Sequence, residues 1–387
     1  MKGSSPQRRK VGRQKKQLKD STLAMVINEK DLRILIALQE NPLAPASEIA
    51  KAVKLSTPTV ISRLKMLRKN KDYYSVIADL KPSALELEIV DVLLEINRLK
   101  DIEFVEQRIC YNHPFTLFRI RCLGKFNGLY LQFRIPNQTR TLLLELFESL
   151  KAEGQIQNYF LPQTLPNTST IYTRANLANW EQKLMHWKFD WEDWFAKVLK
   201  TTSKKILEEN SPSILERIDE LDIALLAELT MNARRKNIDL MDALKLNKKA
   251  IGFPQKISRK LAFIKQRAIA QYRVFLRWEP FEIYNSFLAI GECDGGTCYK
   301  LQNLLKEEPI PFESTYKVTA SGFLWYIRCP APHFSNLSEF LWKVSKKVDF
   351  YFLDYKKAEF YGLWKEAFDT HTHQWKTELM EKRNILK

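Results

Sequence analysis

Six residues in one short run place hydroxyls and cations at spacings that suit contact with a nucleic acid: Ser56, Thr57, Thr59, Ser62, Arg63 and Lys65, within KLSTPTVISRLKML. Ser56 can accept a first-turn amide and so start a helix. Pro58 fits that first turn, where no intrahelical amide bond is lost. Val60, Leu64 and Leu67 then share one face for packing, while the hydroxyls and cations occupy the other. Short hydroxyls and flexible cations near a helix N-terminus suit a DNA major groove, with phosphates met by amides and base edges by side chains. Arg68, Lys69 and Lys71 follow as phosphate contacts, and SVIADL (75–80) reads as a wing along the DNA backbone. A basic three-helix unit that binds protein is the blander reading.

The elements needed to hold such a helix precede it. Apolar spacing predicts helix one over Glu29 to Glu40 and a second helix capped by Ser47, with Lys54 and Leu55 making the turn. The same pattern returns at an offset of 191: Leu32, Ile34, Leu35, Leu38 and Asn41 match Ile223, Leu225, Leu226, Leu229 and Asn232. In the second copy, Gly252 and Pro254 fall inside the expected recognition helix, where a proline removes a hydrogen bond and kinks or ends the helix. That copy is therefore expected to hold DNA by charge, through Lys248, Lys249, Lys256, Arg259 and Lys260.

The repeat continues beyond the helices. GLYLQFRIP (128–136) matches GFLWYIRCP (322–330) at an offset of 194, and EIVDVLLEI (88–96) is set against EIYNSFLAI (282–290). With the helices and strands that follow, each copy reads as strand, helix, strand, strand, helix, strand, a ferredoxin-like βαββαβ sheet. Trp180 and Trp191 match Trp364 and Trp375 at an offset of 184. The expected fold is α+β: two winged helix-turn-helix domains (21–81 and a divergent 214–280), each followed by a ferredoxin-like domain (82–165 and 281–355) and a Trp-bearing helical tail. Residues 166–213 form a Trp-rich helical linker, 356–387 a helical C-terminal tail, and 1–20 a disordered basic tail.

The order DLRILIALQEN, EIAKAV, KLSTPTVISRLKML resembles the winged helix-turn-helix of the Lrp/AsnC family of bacterial and archaeal transcription regulators. The βαββαβ segment is similar to that family's effector-binding (RAM) domain. The resemblance leaves out the basic N-terminal segment and the Trp-bearing tails. It implies double-stranded DNA as partner and an amino-acid-like effector at a Gly-x-x-Asp turn. Gly124 and Asn127 stand at that turn, with the Asp replaced, and the second copy lacks the pattern. It also implies pairing of sheet domains, here between the two modules of one chain as a covalent pseudo-dimer, with homo-oligomers as a further level.

Composition agrees with these expectations. The net charge of +17 is concentrated as +7 over 1–20, +4 over 21–81 and +6 over 214–280, against −1 over 82–165 and −2 over 281–355. Phosphate-binding modules alternating with neutral ones would segregate charge in this way. No run is long and apolar enough for a membrane span, so a cytoplasmic, nucleoid-associated protein is expected. The five cysteines (Cys110, Cys122, Cys293, Cys298 and Cys329) are scattered and read as reduced thiols. Cys293 and Cys298 lack the further ligands a zinc site needs. With no nucleophile elbow, phosphate-binding glycine loop or HExxH, the reading is a non-enzyme without metal or cofactor. Two alternatives stand beside the regulator: a low-specificity architectural DNA-binding protein, and an enzyme resembling a fused pair of siroheme decarboxylase modules.

Overall fold

The computed structural model describes residues 10–11, 27–70, 73–247 and 252–386. Lys71, Lys248 and Lys249, and all of the basic segment 1–20 except Lys10 and Val11, lie outside the described residues.

A two-residue strand, β1 (Lys10–Val11), precedes the first helical unit, α1 (Glu29–Glu40), α2 (Ala46–Val53) and α3 (Thr57–Lys65). Asn28 and Asp31 cap α1 reciprocally, each side chain receiving the other's amide. The N-cap of α2 is Pro45 and not Ser47, which sits inside the first turn. A second unit, α7 (Glu220–Met231), α8 (Asn237–Ala243) and α9 (Phe253–Arg267), opens with the same reciprocal cap, made by Asp219 and Asp222.

Each unit feeds one strand, β2 (Tyr74–Leu80) or β10 (Ile269–Leu276). The expected wing is absent. β2 pairs antiparallel with β10 from Tyr74↔Leu276 to Leu80↔Ile269, forming a ribbon between the two helical units. Arg273 supports it by donating to Asp79 at 2.9 Å.

Beyond the ribbon the first half runs β3 (Leu87–Glu95), α4 (Leu99–Phe104), β4 (Thr116–Gly124), β5 (Gly128–Pro136), α5 (Arg140–Ala152) and β6 (Asn158–Phe160). The second runs β11 (Ser286–Glu292), α10 (Gly295–Glu307), β12 (Ser314–Thr319), β13 (Gly322–Ile327), α11 (Phe334–Val344) and β14 (Lys347–Tyr361). Between them lie β7 (Ile171–Thr173), the hairpin β8 (Trp180–Glu181) and β9 (His186–Trp187), and α6 (Trp191–Lys200). The sheet order is β6-β3-β5-β4-β14-β11-β13-β12-β7. Both β6-β3-β5-β4 and β14-β11-β13-β12 have the ferredoxin-like order, and β4 joins them to each other through β14.

This sheet closes on itself. Leu93, Phe118, Ile120, Cys122 and Tyr130 share an apolar cluster with Leu288, Leu324, Tyr351 and Leu353, apart from the helix-side core. Lys317 on β12 donates to Asp91 on β3 at 2.6 Å. Those strands stand six places apart in the sheet order, nearly 30 Å in a flat sheet at about 4.8 Å per strand. The helix-free faces of the two halves therefore press together.

Two further expectations change. The segments around the tryptophans are mostly not helical: α6 is the one α-helix between 166 and 213, and after β14 the chain forms a hairpin, β15 (Phe368–Asp369) and β16 (Gln374–Trp375), before the short α12 (Lys382–Ile385). The hairpins equate Trp187 with Trp375, an offset of 188, because Trp180 faces Trp187 as Phe368 faces Trp375. Trp187 Nε1 donates to the Phe281 carbonyl and Trp375 Nε1 to the Leu85 carbonyl, so each hairpin docks on the other half. Cys293 and Cys298 are joined as a disulfide, while Cys110, Cys122 and Cys329 are buried and not part of one. The Asp294 cap of α10 turns the chain so that Cys298 returns toward Cys293.

Register identifies the counterparts of the buried ion pair. Gly128 faces Glu95 and Cys122, as Gly322 faces Glu292 and Thr319. Asp91 thus corresponds to Leu288, and Lys317 to Ile120, both apolar and fully buried. Removing one partner alone leaves a buried charge. We expect Asp91→Leu to cost roughly 3–5 kcal/mol and Asp91→Leu/Lys317→Ile to recover most of it, measured as denaturant midpoints.

Candidate nucleic-acid interface

The third helix starts as its sequence requires. Ser56 Oγ accepts the Thr59 amide at 3.3 Å and also hydrogen-bonds Thr59 Oγ1 at 2.7 Å, with Pro58 in the first turn. Val60, Leu64 and Leu67 are buried against α1 and α2. The outward surface is Ser56, Pro58, Ile61, Ser62, Lys65 and Arg68, while Thr57, Thr59 and Arg63 are half-buried. Lys69 follows in the turn Met66–Asn70. Ile61, 53% exposed, was not singled out from the sequence. An apolar residue at the centre of a polar helix face was the available signal.

Arg63 has a partner within the protein. Its guanidinium reaches Asp31 at 3.2 Å, and Asp31 is only 1% exposed. The same carboxylate caps α1, so the bond fixes the recognition helix to the first turn of α1. Lys260 repeats this in the second unit, with Nζ 2.6 Å from Asp222 and 3.0 Å from Asp219. Burial opposes charge on the Lys260 ammonium, but the hydrogen bonds it donates to both carboxylates outweigh that and raise its pKa above the usual lysine value.

The third helix of the second unit, α9, is not interrupted. Gly252 lies outside it as N-cap at φ 75, a left-handed conformation that suits glycine, and Pro254 occupies the first turn. α9 is 15 residues long against 9 for α3. The repeat offset places the glycine and proline wrongly because more residues separate α8 from α9 than α2 from α3. Gln255, Lys256, Ser258 and Arg259 face outward. Lys256, Arg259 and Lys260 line a shallow groove of 530 Å³ with Gly252 and Phe253 at the helix start. The helix start with Lys256 and Arg259 beside it suits a phosphate.

The turn expected to hold an effector also has a structural role. Gly124 ends β4 opposite Tyr351 of β14, where a Cβ would meet the Phe350 carbonyl oxygen at 2.1 Å. Glycine is needed there for the two halves to join. Asn127 lies in an exposed loop, and its carbonyl accepts the Ile96 amide. No helix among the described residues is long and apolar enough to cross a membrane.

An AsnC-type helix-turn-helix domain matches residues 27–68. The fold is similar to that of the siroheme decarboxylase NirDL, with a TM-score of 0.51 at 12% identity, covering 91% of this chain and 98% of that one. The transcriptional regulator NMB0573 from Neisseria meningitidis, solved with L-Met, gives a TM-score of 0.30 at 21% identity over 35% of this chain and 88% of its own. E. coli AsnC gives 0.29 at 16% identity over 35% and 90%. No curated protein matches the chain in sequence. The expectation of a non-enzyme is overturned by the first of these structures: nearly the whole chain has a fold that a decarboxylase also has, so the missing sequence signatures excluded nothing.

The ion pairs inside the two helical units generate a test that separates packing from DNA contact. Arg63→Ala leaves the Asp31 carboxylate buried without its cation and is expected to lower stability by roughly 1–3 kcal/mol. Arg63→Lys, the type found at position 260, should retain most of it. Thermal unfolding of both variants beside Lys65→Ala, expected to be neutral, checks this.

Proposed function

We propose that the chain is a DNA-binding transcription regulator built from two tandem modules, 21–165 and 214–355, joined by 166–213 and closed by 356–387, that acts as a covalent pseudo-dimer. The observation that carries this reading is the β2–β10 ribbon, which ties the two helix-turn-helix units together antiparallel. Near-symmetric pairing of this kind relates α3 and α9 by a twofold, the arrangement a dimeric helix-turn-helix protein needs to address two half-sites. On α3 the contacts are Ser56, Thr57, Thr59, Ser62 and Lys65, with Arg68, Lys69 and Lys71 toward phosphates. On α9 they are Lys256 and Arg259, with Lys248 and Lys249 before the helix. Arg63 and Lys260 hold the helices in place. The basic segment 1–20 adds salt-sensitive affinity without sequence preference.

Competition binding of the full chain to selected and random duplexes at two salt concentrations tests this. Lys65→Ala and Arg259→Ala are each expected to weaken selected DNA about tenfold more than random DNA, within the roughly 1–3 kcal/mol of a good base contact. Equal binding of both duplexes with a steep salt slope would instead mark an architectural protein.

A second reading, an enzyme acting on a tetrapyrrole as siroheme decarboxylase does, is favoured by the fold shared over 91% of the chain. The histidines of the sheet halves do not serve it. His113 packs among Phe115 and Phe133, and His333 lies between the Trp191 indole and the Trp187 carbonyl. Haem-like absorbance in the purified protein would support this reading over the regulator.

A further inference from the structure

β5 and β13 carry an arginine at the same station, Arg134 and Arg328, each two residues before a proline. Each donates its backbone amide to the residue that enters the neighbouring strand: Arg134 to the Phe115 carbonyl at 2.7 Å, Arg328 to the Glu313 carbonyl at 2.9 Å. Leu131, Phe133 and Ile135, like Phe323, Trp325 and Ile327, belong to the helix-side core. Strand alternation therefore turns both arginines to the face where the two halves meet.

The two guanidiniums keep different company. Arg328 has the Glu313 carboxylate at 3.7 Å and stands over the rings of Trp278, Tyr326 and Phe275 at 5.8 to 5.9 Å. Arg134 is 8% exposed, and its side chain has no acid, acceptor or ring as partner among the described residues. Burial alone pushes its pKa down to about 10. Directly across on β3 stands Ile89, an apolar neighbour. Asp91, two residues further along β3, is already taken by Tyr130, Gln132 and Lys317.

A buried guanidinium without a counter-charge is strongly unfavourable, and its planar fork of donors matches a carboxylate in two parallel hydrogen bonds. We propose that Arg134 anchors a binding site for a small organic carboxylate at the meeting of the two sheet faces, the ligand supplying the group that Glu313 supplies to Arg328. Ile89 receives the apolar part of the ligand. The remaining exposure of Arg134 marks the side from which it enters. This site does not depend on the DNA-binding reading, and its test uses no DNA.

Thermal unfolding of the full chain in propionate, benzoate and succinate, against chloride and inorganic phosphate at matched ionic strength, provides the test. At least one carboxylate should raise the unfolding temperature saturably, as mass action requires. Arg134→Leu should weaken the half-saturating concentration by about tenfold or more. Ile89→Glu, which sets an internal carboxylate opposite Arg134, should raise the ligand-free unfolding temperature and abolish the response. No response to any carboxylate, a response unchanged in both variants, or an equal Arg134-dependent response to phosphate would each overturn the assignment.

Discussion

A ferredoxin-like sheet has helices on one face only, so whatever apolar surface lies on the other must be covered by something else. Here that surface is large. Phe118, Ile120 and Leu93 in one half and Leu288, Leu324 and Leu353 in the other would stand in water if the halves separated. Burying such side chains is worth about 1.5–3 kcal/mol each. Gly124 at the β4–β14 junction and the close of the sheet on itself follow from that need.

Once the faces meet, the rest of the chain is constrained. β2 and β10 are brought side by side, and with them the two helical units. The Trp hairpins cross over, each fastening to the turn between ribbon and sheet in the other half, so the halves are tied at three levels. The two halves are not equal. Asp91 and Lys317 meet where Ile120 and Leu288 meet on the other side, Arg328 has an acid where Arg134 has none, and α9 is longer and more basic than α3. Differences of this kind give α3 and α9 different surfaces and the meeting of the sheets a polar end.

The helices were legible because their signals are local. Apolar spacing and the Ser56 cap located α1 and α3, and the strand GLYLQFRIP matches β5 residue for residue. What the sequence hid depends on register across space. The strand set at 282–290 begins instead at Ser286, because Glu282 turns the chain at φ 55, and the repeat offset slides accordingly. SVIADL looked like a wing because nothing in it names the partner strand nearly 200 residues away. Gly252 and Pro254 looked like helix breakers because their distance from the helix start was misjudged, and in the fold they form that start. Arg63 looked free for DNA because Asp31, its partner, is separated from it by 32 residues. Arg134 carried no sequence signal beyond its match with Arg328, and its isolation appears only when Glu313 is seen beside the latter.

In the proposed regulator, α3 and α9 of one chain face DNA together. The most direct measurement is site-specific photo-crosslinking from Ser62 on α3 and Ser258 on α9 to a selected duplex, with the mass of each complex determined. Crosslinks from both positions in a complex of one chain per duplex, at bases separated by about one helical turn, are the predicted result. Crosslinks from Ser62 alone, or a requirement for two chains to occupy both half-sites, would contradict it.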